Sequence, residues 1–125
     1  MHRQVIALCT MLLCMNASAH EMVPTYPELK PSHVLGVLKA EMHMFNKRSD
    51  VEYYEIGVFD KDWNTIPFVS AYRLFKLKHL GKVNFDVYIL DIDARRAVYI
   101  CSKSKVHGSS TGTLLSSRIC SKFKK

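Results

Sequence analysis

The chain has 125 residues, of which 48% are hydrophobic and 23% are charged, and its formal net charge is +7 at pH 7. This length suits one small domain and excludes an assembly of several domains. Residues 20–100 hold eleven Lys or Arg against eleven Asp or Glu, so the excess of positive charge comes from outside this central region.

Residues 1–19 have the pattern of a secretory signal peptide. Arg3 precedes the apolar run Val5–Met15, and Ala17 and Ala19 supply the small residues that a signal peptidase reads. The run is too short to cross a hydrocarbon core, which needs about 20 helical residues. We therefore predict a removed leader and a protein that is secreted and extracellular, with no later segment long enough to span a membrane.

The first part of the predicted mature chain combines an extended segment with a helical pattern. Residues 20–31 contain three of the four prolines and predict an extended N-terminal arm. Ser32 can cap a helix that begins at His33. The spacing predicts one amphipathic helix of about 15 residues that ends near Asn46. Its apolar stripe comprises Leu35, Leu38, Met42 and Phe45.

After residue 50 the hydrophobic period changes to two, which is typical of strands. The connections are too short for helical crossovers, so neighbouring strands should be antiparallel. A sheet with one apolar face needs a cover, and the helix is the only candidate. We therefore predict an α+β fold, one helix packed across a four- to five-stranded antiparallel sheet, over residues 32–121, with a basic tail at 122–125. The strand segments are 52–59, 68–78, 83–92, 97–103 and 113–122.

Two cysteines remain once the predicted leader, with Cys9 and Cys14, is removed. Cys101 and Cys120 in an oxidising compartment predict a disulfide. A zinc site would need two further ligands at close spacing, and only His107 lies between the cysteines. A reactive thiol remains the alternative, although no reducing context supports it.

The C-terminal region carries a group of cations without any acidic residue after position 100. Such a group either binds an anionic partner, such as a polysaccharide or a membrane surface, or is a solvated tail that helps solubility. Nucleic acid is not an expected partner of a secreted protein. The cations are Lys103, Lys105, Arg118, Lys122, Lys124 and Lys125.

Sequence motifs for catalysis are missing. The chain has no Gly-rich phosphate loop, no HExxH and no G-x-S-x-G, and its histidines lack metal-ligand spacing. Asp91 and Asp93 are interpreted as turn residues beside Arg95 and Arg96. We therefore predict no enzyme, no cofactor, no bound metal and a monomer.

Three segments together resemble the cystatin superfamily. "EMHMFNKRSDVEYYEIGVF" is similar to the end of the cystatin helix and the following strand, and "GKVNFDVYILDI" to the strand after the first inhibitory hairpin. "CSKSKVHGSSTGTLLSSRIC" resembles the C-terminal cystatin hairpin. The resemblance implies a cystatin-like fold and inhibition of papain-like cysteine proteases.

The same resemblance places protease contacts in two loops. The first loop is Lys78, His79, Leu80 and Gly81, and the second is Val106, His107 and Gly108. The family's arm glycine and Pro-Trp pair are absent here, which predicts weakened or lost inhibition. The alternative is a non-inhibitory secreted binding protein whose basic C-terminus contacts an anionic surface, with a role in host defence or reproduction.

Overall fold

The computed structural model describes residues 19–105 and 116–125, and these residues form eight strands and one short helix. Both the predicted leader up to residue 18 and the predicted loop Val106–Gly108 lie outside the described residues. In chain order the elements are β1 (Glu21–Val23), β2 (Lys30–Pro31), β3 (Val37–Phe45), β4 (Tyr53–Phe59), β5 (Leu74–Lys76), β6 (Lys82–Leu90), α1 (Asp91–Ala94), β7 (Tyr99–Lys105) and β8 (Arg118–Lys122).

The strands form two antiparallel sheets of four strands each. In the first sheet, β6 pairs with β3 along its whole length, from Val37↔Leu90 to Phe45↔Lys82. Since β6 fills one side of β3, the short strands β1 and β2 pair one after the other with its opposite side. The second sheet has the order β5-β4-β7-β8. Its two central strands pair from Tyr53↔Lys105 to Phe59↔Tyr99.

One hydrophobic core lies between the sheets. Met42 of β3 and Val87 of β6 face Tyr54 of β4 and Ile100 of β7, and none of these four side chains is exposed to solvent. Alternate residues along β4 and β6 point into this core, as the period-two pattern of both segments predicts. The molecule is therefore a β sandwich.

The helix predicted from His33 to Asn46 is wrong, because this segment forms strand β3. The apolar residues satisfy both periods, since Ala40, Met42 and Met44 alternate with Lys39 and His43 along the strand. Tertiary pairing decides between the two periods: β6 provides nine consecutive cross-strand partners for this segment. Gly36, with a φ of 79°, lies in the left-handed region just before the strand and is incompatible with a continuous helix.

The predicted α+β fold is wrong for the same reason. The one helix among the described residues is α1, which has four residues and follows β6. It is far too short to cover a sheet, and the second sheet takes the place of the predicted helix. None of the described helical residues forms a segment long and apolar enough to cross a membrane.

The N-terminal segment connects the two sheets. β1 pairs with β3 in the first sheet, and the chain then passes to the edge of the second sheet. There the amide of Lys122 donates to the carbonyl of Thr25 at 3.0 Å, and the amide of Lys124 donates to that of Pro27 at 2.9 Å. Residues 25–28 thus cover the C-terminal part of β8.

Candidate functional site

The loop Lys78–Gly81 is a tight turn that leads into β6. The amide of Gly81 donates to the carbonyl of Lys78 at 2.8 Å, and Leu80 has a positive φ of 62°. The backbone of Asn46, just after β3, fixes the turn. Its carbonyl accepts a hydrogen bond from the amide of Leu80, and its amide donates one to the carbonyl of Gly81. The loop therefore joins β5 to β6, and its bonds to Asn46 extend the β3–β6 pairing by one residue pair.

Three of the six C-terminal cations have partners within the chain. Lys105 forms an ion pair with Glu55 at 2.7 Å, and the ammonium of Lys125 donates to the carbonyl of Ala94 at 3.1 Å. The guanidinium of Arg118 lies 4.5 Å from the ring centre of Trp63. The other three cations are exposed along β7 and the C-terminal end: Lys103, Lys122 and Lys124.

Cys101 and Cys120 form a disulfide between β7 and β8 on the outer face of the second sheet. An aromatic cluster packs on the same face: Trp63 stacks on Tyr99 with ring centres 4.3 Å apart, and Phe59 lies 5.9 Å from Trp63. The Arg118 guanidinium lies over the rings of Phe59 and Trp63, which indicates a packing role for this cluster. Trp63 therefore lies outside the core between the two sheets, and it is 47% exposed.

A buried polar network fills one end of the sandwich. The Nε2 atom of His20 lies 2.7 Å from the hydroxyl of Ser102, and its Nδ1 atom lies 3.1 Å from that of Ser117. The pKa of the His20 imidazole is lowered, mainly by burial and to a smaller extent by the positive charge of Arg48. The hydrogen bond with the backbone of Ser102 acts in the opposite direction and raises this pKa. Arg48 also donates to Asp50 at 2.8 and 2.6 Å and holds the pKa of that carboxyl below its usual value.

Asn46 and Tyr54 extend the polar network. The Tyr54 hydroxyl donates to the Asn46 side-chain oxygen at 2.5 Å, and burial raises the pKa of Tyr54 to about 12. The Asn46 amide donates to the carbonyls of Val51 and Leu77, both at 2.8 Å. Every buried side-chain nitrogen and oxygen of the described residues has a hydrogen-bond partner, as is usual in native protein interiors. Residues 19–105 and 116–125 contain no group of three His, Cys, Asp or Glu side chains that could hold a metal ion.

The backbone of β6 presents an open edge. At its two ends the amide of Asp91 donates to the carbonyl of Gly36, and the amide of Asn46 donates to that of Gly81. These bonds fix the alternation: odd-numbered residues of β6 direct their backbone groups toward β3, and even-numbered residues direct theirs away from it. Among the described residues, only Tyr88 has an outward partner, because it exchanges bonds of 2.8 and 2.9 Å with Val69.

Leu90, at the end of the strand beyond Tyr88, also directs its backbone groups outward. Before Tyr88, three successive outward residues lack a partner strand: Lys82, Asn84 and Asp86. We call their amides and carbonyls the β6 edge. A groove of about 360 Å³ lies next to Asn84 and Asp86 on the outer face of the first sheet, and it is also lined by Glu41 and His43 of β3 and by Ala71 and Tyr72. The edge therefore combines hydrogen-bonding groups with an adjoining open groove.

The other sheet edges offer less. Lys122 and Lys124 of the β8 edge already donate to Thr25 and Pro27. β5, Leu74–Lys76, has three residues, and β1 and β2 have three and two. β6 is thus the longest strand at an uncovered edge of the described chain.

A second groove of about 410 Å³ lies on the opposite side of β3, where the chain leaves β1 for the second sheet. Its lining mixes acids and bases, among them Glu28, Lys30, Lys39 and Glu41, and the last two form an ion pair at 3.2 Å. Only three residues of β3 lie between the stretches paired with β1 and β2, namely Ala40, Glu41 and Met42, so this gap is too short for a further strand.

Comparison with known proteins adds the fold but no sequence family. No protein-family model matches the chain, and no curated protein is significantly similar to it in sequence. The crystal structure of the periplasmic chaperone SfaE matches with a TM-score of 0.56 and 10% identity, over 85% of this chain. This chain spans 56% of the length of that chaperone. The ASH/PapD-like domain 7 of human CEP192 matches with a TM-score of 0.53 and 7% identity, over 83% of this chain and 81% of that one.

These matches overturn the cystatin resemblance. They are immunoglobulin-like β sandwiches, in which no helix covers a sheet, so the inhibitory loops of a cystatin have no scaffold here. The function expected from the resemblance, inhibition of papain-like cysteine proteases, is therefore wrong as well. The chain has an immunoglobulin-like β-sandwich fold.

Proposed function

We propose that this chain is a non-catalytic binding domain that accepts an extended strand of a partner polypeptide along the β6 edge. The observation that carries this proposal is the row of outward backbone groups on Lys82, Asn84 and Asp86 beside an open groove. Strand addition of this kind draws its affinity from main-chain hydrogen bonds and its specificity from alternate side chains.

The geometry of the edge favours a strand over a compact ligand. Outward donors and acceptors repeat at every second residue, which is the spacing of a partner strand in an antiparallel ladder. Alternate side chains of an added strand would point toward the groove wall, where the ring of Tyr72 packs edge-on against that of Phe75 at 5.6 Å. An apolar side chain at those positions of the partner would pack against Tyr72 at the groove wall.

The sequence and the similar structures support a binding role in an exported protein. One of the structural neighbours is a periplasmic chaperone, and such a role suits a sandwich with an open edge. The leader pattern of residues 1–19 and the Cys101–Cys120 disulfide are compatible with export to an oxidising compartment.

The test removes one outward amide without disturbing the β3–β6 ladder. Proline at position 84 lacks the N–H that points away from β3, so Asn84→Pro should fold and lose strand addition. The matched control is Lys76→Pro, which makes the same change at the edge of β5. Nonapeptides selected from a random displayed library against the wild-type protein serve as the probe, and calorimetry measures their affinity.

We expect Asn84→Pro to weaken the selected peptides at least about tenfold, which corresponds to about 1.4 kcal/mol, and Lys76→Pro to leave them unchanged. Circular dichroism and urea unfolding establish that both variants are folded. A library that yields no peptide dependent on Asn84 overturns the proposal, as does equal weakening by both prolines.

A further inference from the structure

We propose that the partner strand at the β6 edge is the β6 strand of a second copy of this chain, paired antiparallel about a two-fold axis through Asn84. This inference rests on the proposed strand addition and names its partner. It departs from the monomer expected from the sequence.

The backbone groups match in this arrangement. An antiparallel pair centred on Asn84 places Lys82 opposite the partner's Asp86, Asn84 opposite the partner's Asn84, and Asp86 opposite the partner's Lys82. These are the three residues of the β6 edge, and their amides and carbonyls point away from β3. Each pair can therefore exchange two backbone hydrogen bonds, and no register shift is needed to align donors with acceptors.

The side chains match as well. Lys82, Asn84 and Asp86 lie on one face of β6, the outer face of the first sheet, because Val83, Phe85 and Val87 point inward. Opposite charges directly across an antiparallel ladder attract, and the two-fold axis creates this Lys–Asp contact twice. Parallel pairing in register would instead place Lys82 beside Lys82 and Asp86 beside Asp86. Charges on an edge strand often keep copies apart, but these two are opposite in sign and equidistant from Asn84, so they select one pairing.

The paired stretch is limited at both ends to residues 82–86 of each copy. Val69 occupies the outward groups of Tyr88, so an added strand must end before this residue. The partner's strand does end there, because β6 begins at Lys82 and the turn residue Leu80 would lie opposite Tyr88. Val69 and Leu80 are both largely exposed apolar side chains. In this register, Val69 of each chain lies close to Leu80 of the second copy.

Charge reversal at the two positions tests the register. In the Lys82→Asp variant, the new carboxylate at position 82 faces Asp86 of the second copy, and this happens twice in the dimer. In the Asp86→Lys variant, the new ammonium group at position 86 likewise faces Lys82 of the second copy. We expect each variant alone to be monomeric in sedimentation over the range in which the wild-type protein is dimeric. An equimolar mixture of the two variants should form a heterodimer, because both cross-axis contacts then become Asp–Lys pairs.

The control variant is Lys76→Asp, which reverses a charge at the β5 edge and should leave the dimer intact. Heterodimer formation also shows that both reversed variants are folded. Wild-type protein that sediments as a single chain at all concentrations overturns the inference. Reversed variants that dimerise alone, or that fail to dimerise when mixed, contradict the register. A monomeric wild-type protein that still binds selected peptides in an Asn84-dependent manner would overturn self-pairing and leave strand addition standing.

Discussion

At the scale of single residues, the position of His20 is the least expected feature of the molecule. The imidazole is 2% exposed and bridges Ser102 of β7 and Ser117, which precedes β8. Its ring centre lies 4.7 Å from that of Tyr54. A residue that the sequence places in an extended arm is thus part of the packed interior, and it anchors the chain just before β1.

The buried imidazole should make stability depend on pH. Burial lowers the pKa of His20, so the folded protein keeps the ring neutral where the unfolded chain, with a pKa of about 6.5, takes up a proton. Stability is therefore fully present above that value and falls as the pH drops toward the lowered folded pKa. The uptake of one proton changes the free energy of unfolding by at most about 1.4 kcal/mol per pH unit.

Urea unfolding from about pH 8 to about pH 5 measures this dependence. We expect the wild-type protein to lose stability below about pH 6.5 and His20→Gln to show a flatter profile, whatever its stability at neutral pH. The neighbouring groups do not interfere: Arg48 and Tyr54 keep their charge states, and Asp50 titrates below its usual range. Parallel profiles for the two proteins would show that His20 is not the titrating group.

At the scale of secondary structure, β3 shows how the sequence can support two patterns. A helical stripe places Leu35 and Leu38 in the core, whereas the strand places Ala40 and Met44 there. In the structure Leu35 is fully exposed and Met44 is 2% exposed. The difference comes from pairing with β6, which lies about 45 residues further along the chain and is not visible in a local window.

Alanine substitutions at these two positions distinguish strand from helix. Met44→Ala should lower the free energy of unfolding by about 2–5 kcal/mol, because it leaves a cavity between the sheets. Leu35→Ala should change it by no more than about 0.5 kcal/mol, because the side chain packs against nothing. Urea unfolding of both variants gives the comparison. A larger loss for Leu35→Ala than for Met44→Ala would support the helix and contradict β3.

Much of the rest of the fold could be predicted locally, and the reasons for the exceptions are physical. Alternation along residues 53–59 and 83–89 identifies the inward faces of β4 and β6, since each strand buries one face. β1, β2 and β5 have two or three residues each, too few for any period. The β6 edge could not be found from the sequence, although Lys82, Asn84 and Asp86 are visible in it. Whether a strand lies at an edge depends on long-range pairing rather than on its own residues.

At the scale of the whole molecule, the two sheets share one core but differ in their edges. The second sheet is covered by residues 25–28 at the C-terminal end of β8 and is cross-linked by the disulfide, which joins residues 19 positions apart. A loop of this size contributes about 3 kcal/mol in the chain-entropy model. The first sheet ends at β6, where a nine-residue strand meets solvent beside a groove. The two sheets thus differ at their edges, and the strand addition that we propose belongs to the edge at β6.

Amide hydrogen exchange of Lys82, Asn84 and Asp86 across a dilution series is the measurement that bears most directly on this edge. These amides point away from β3, so only an added strand can protect them, whereas the amides of Val83, Phe85 and Val87 are protected in every state. We predict that exchange at the three outward positions slows as the protein concentration rises or as a selected peptide is added, and that the inward positions do not change. Equal exchange at the outward positions under all of these conditions would contradict strand addition at β6.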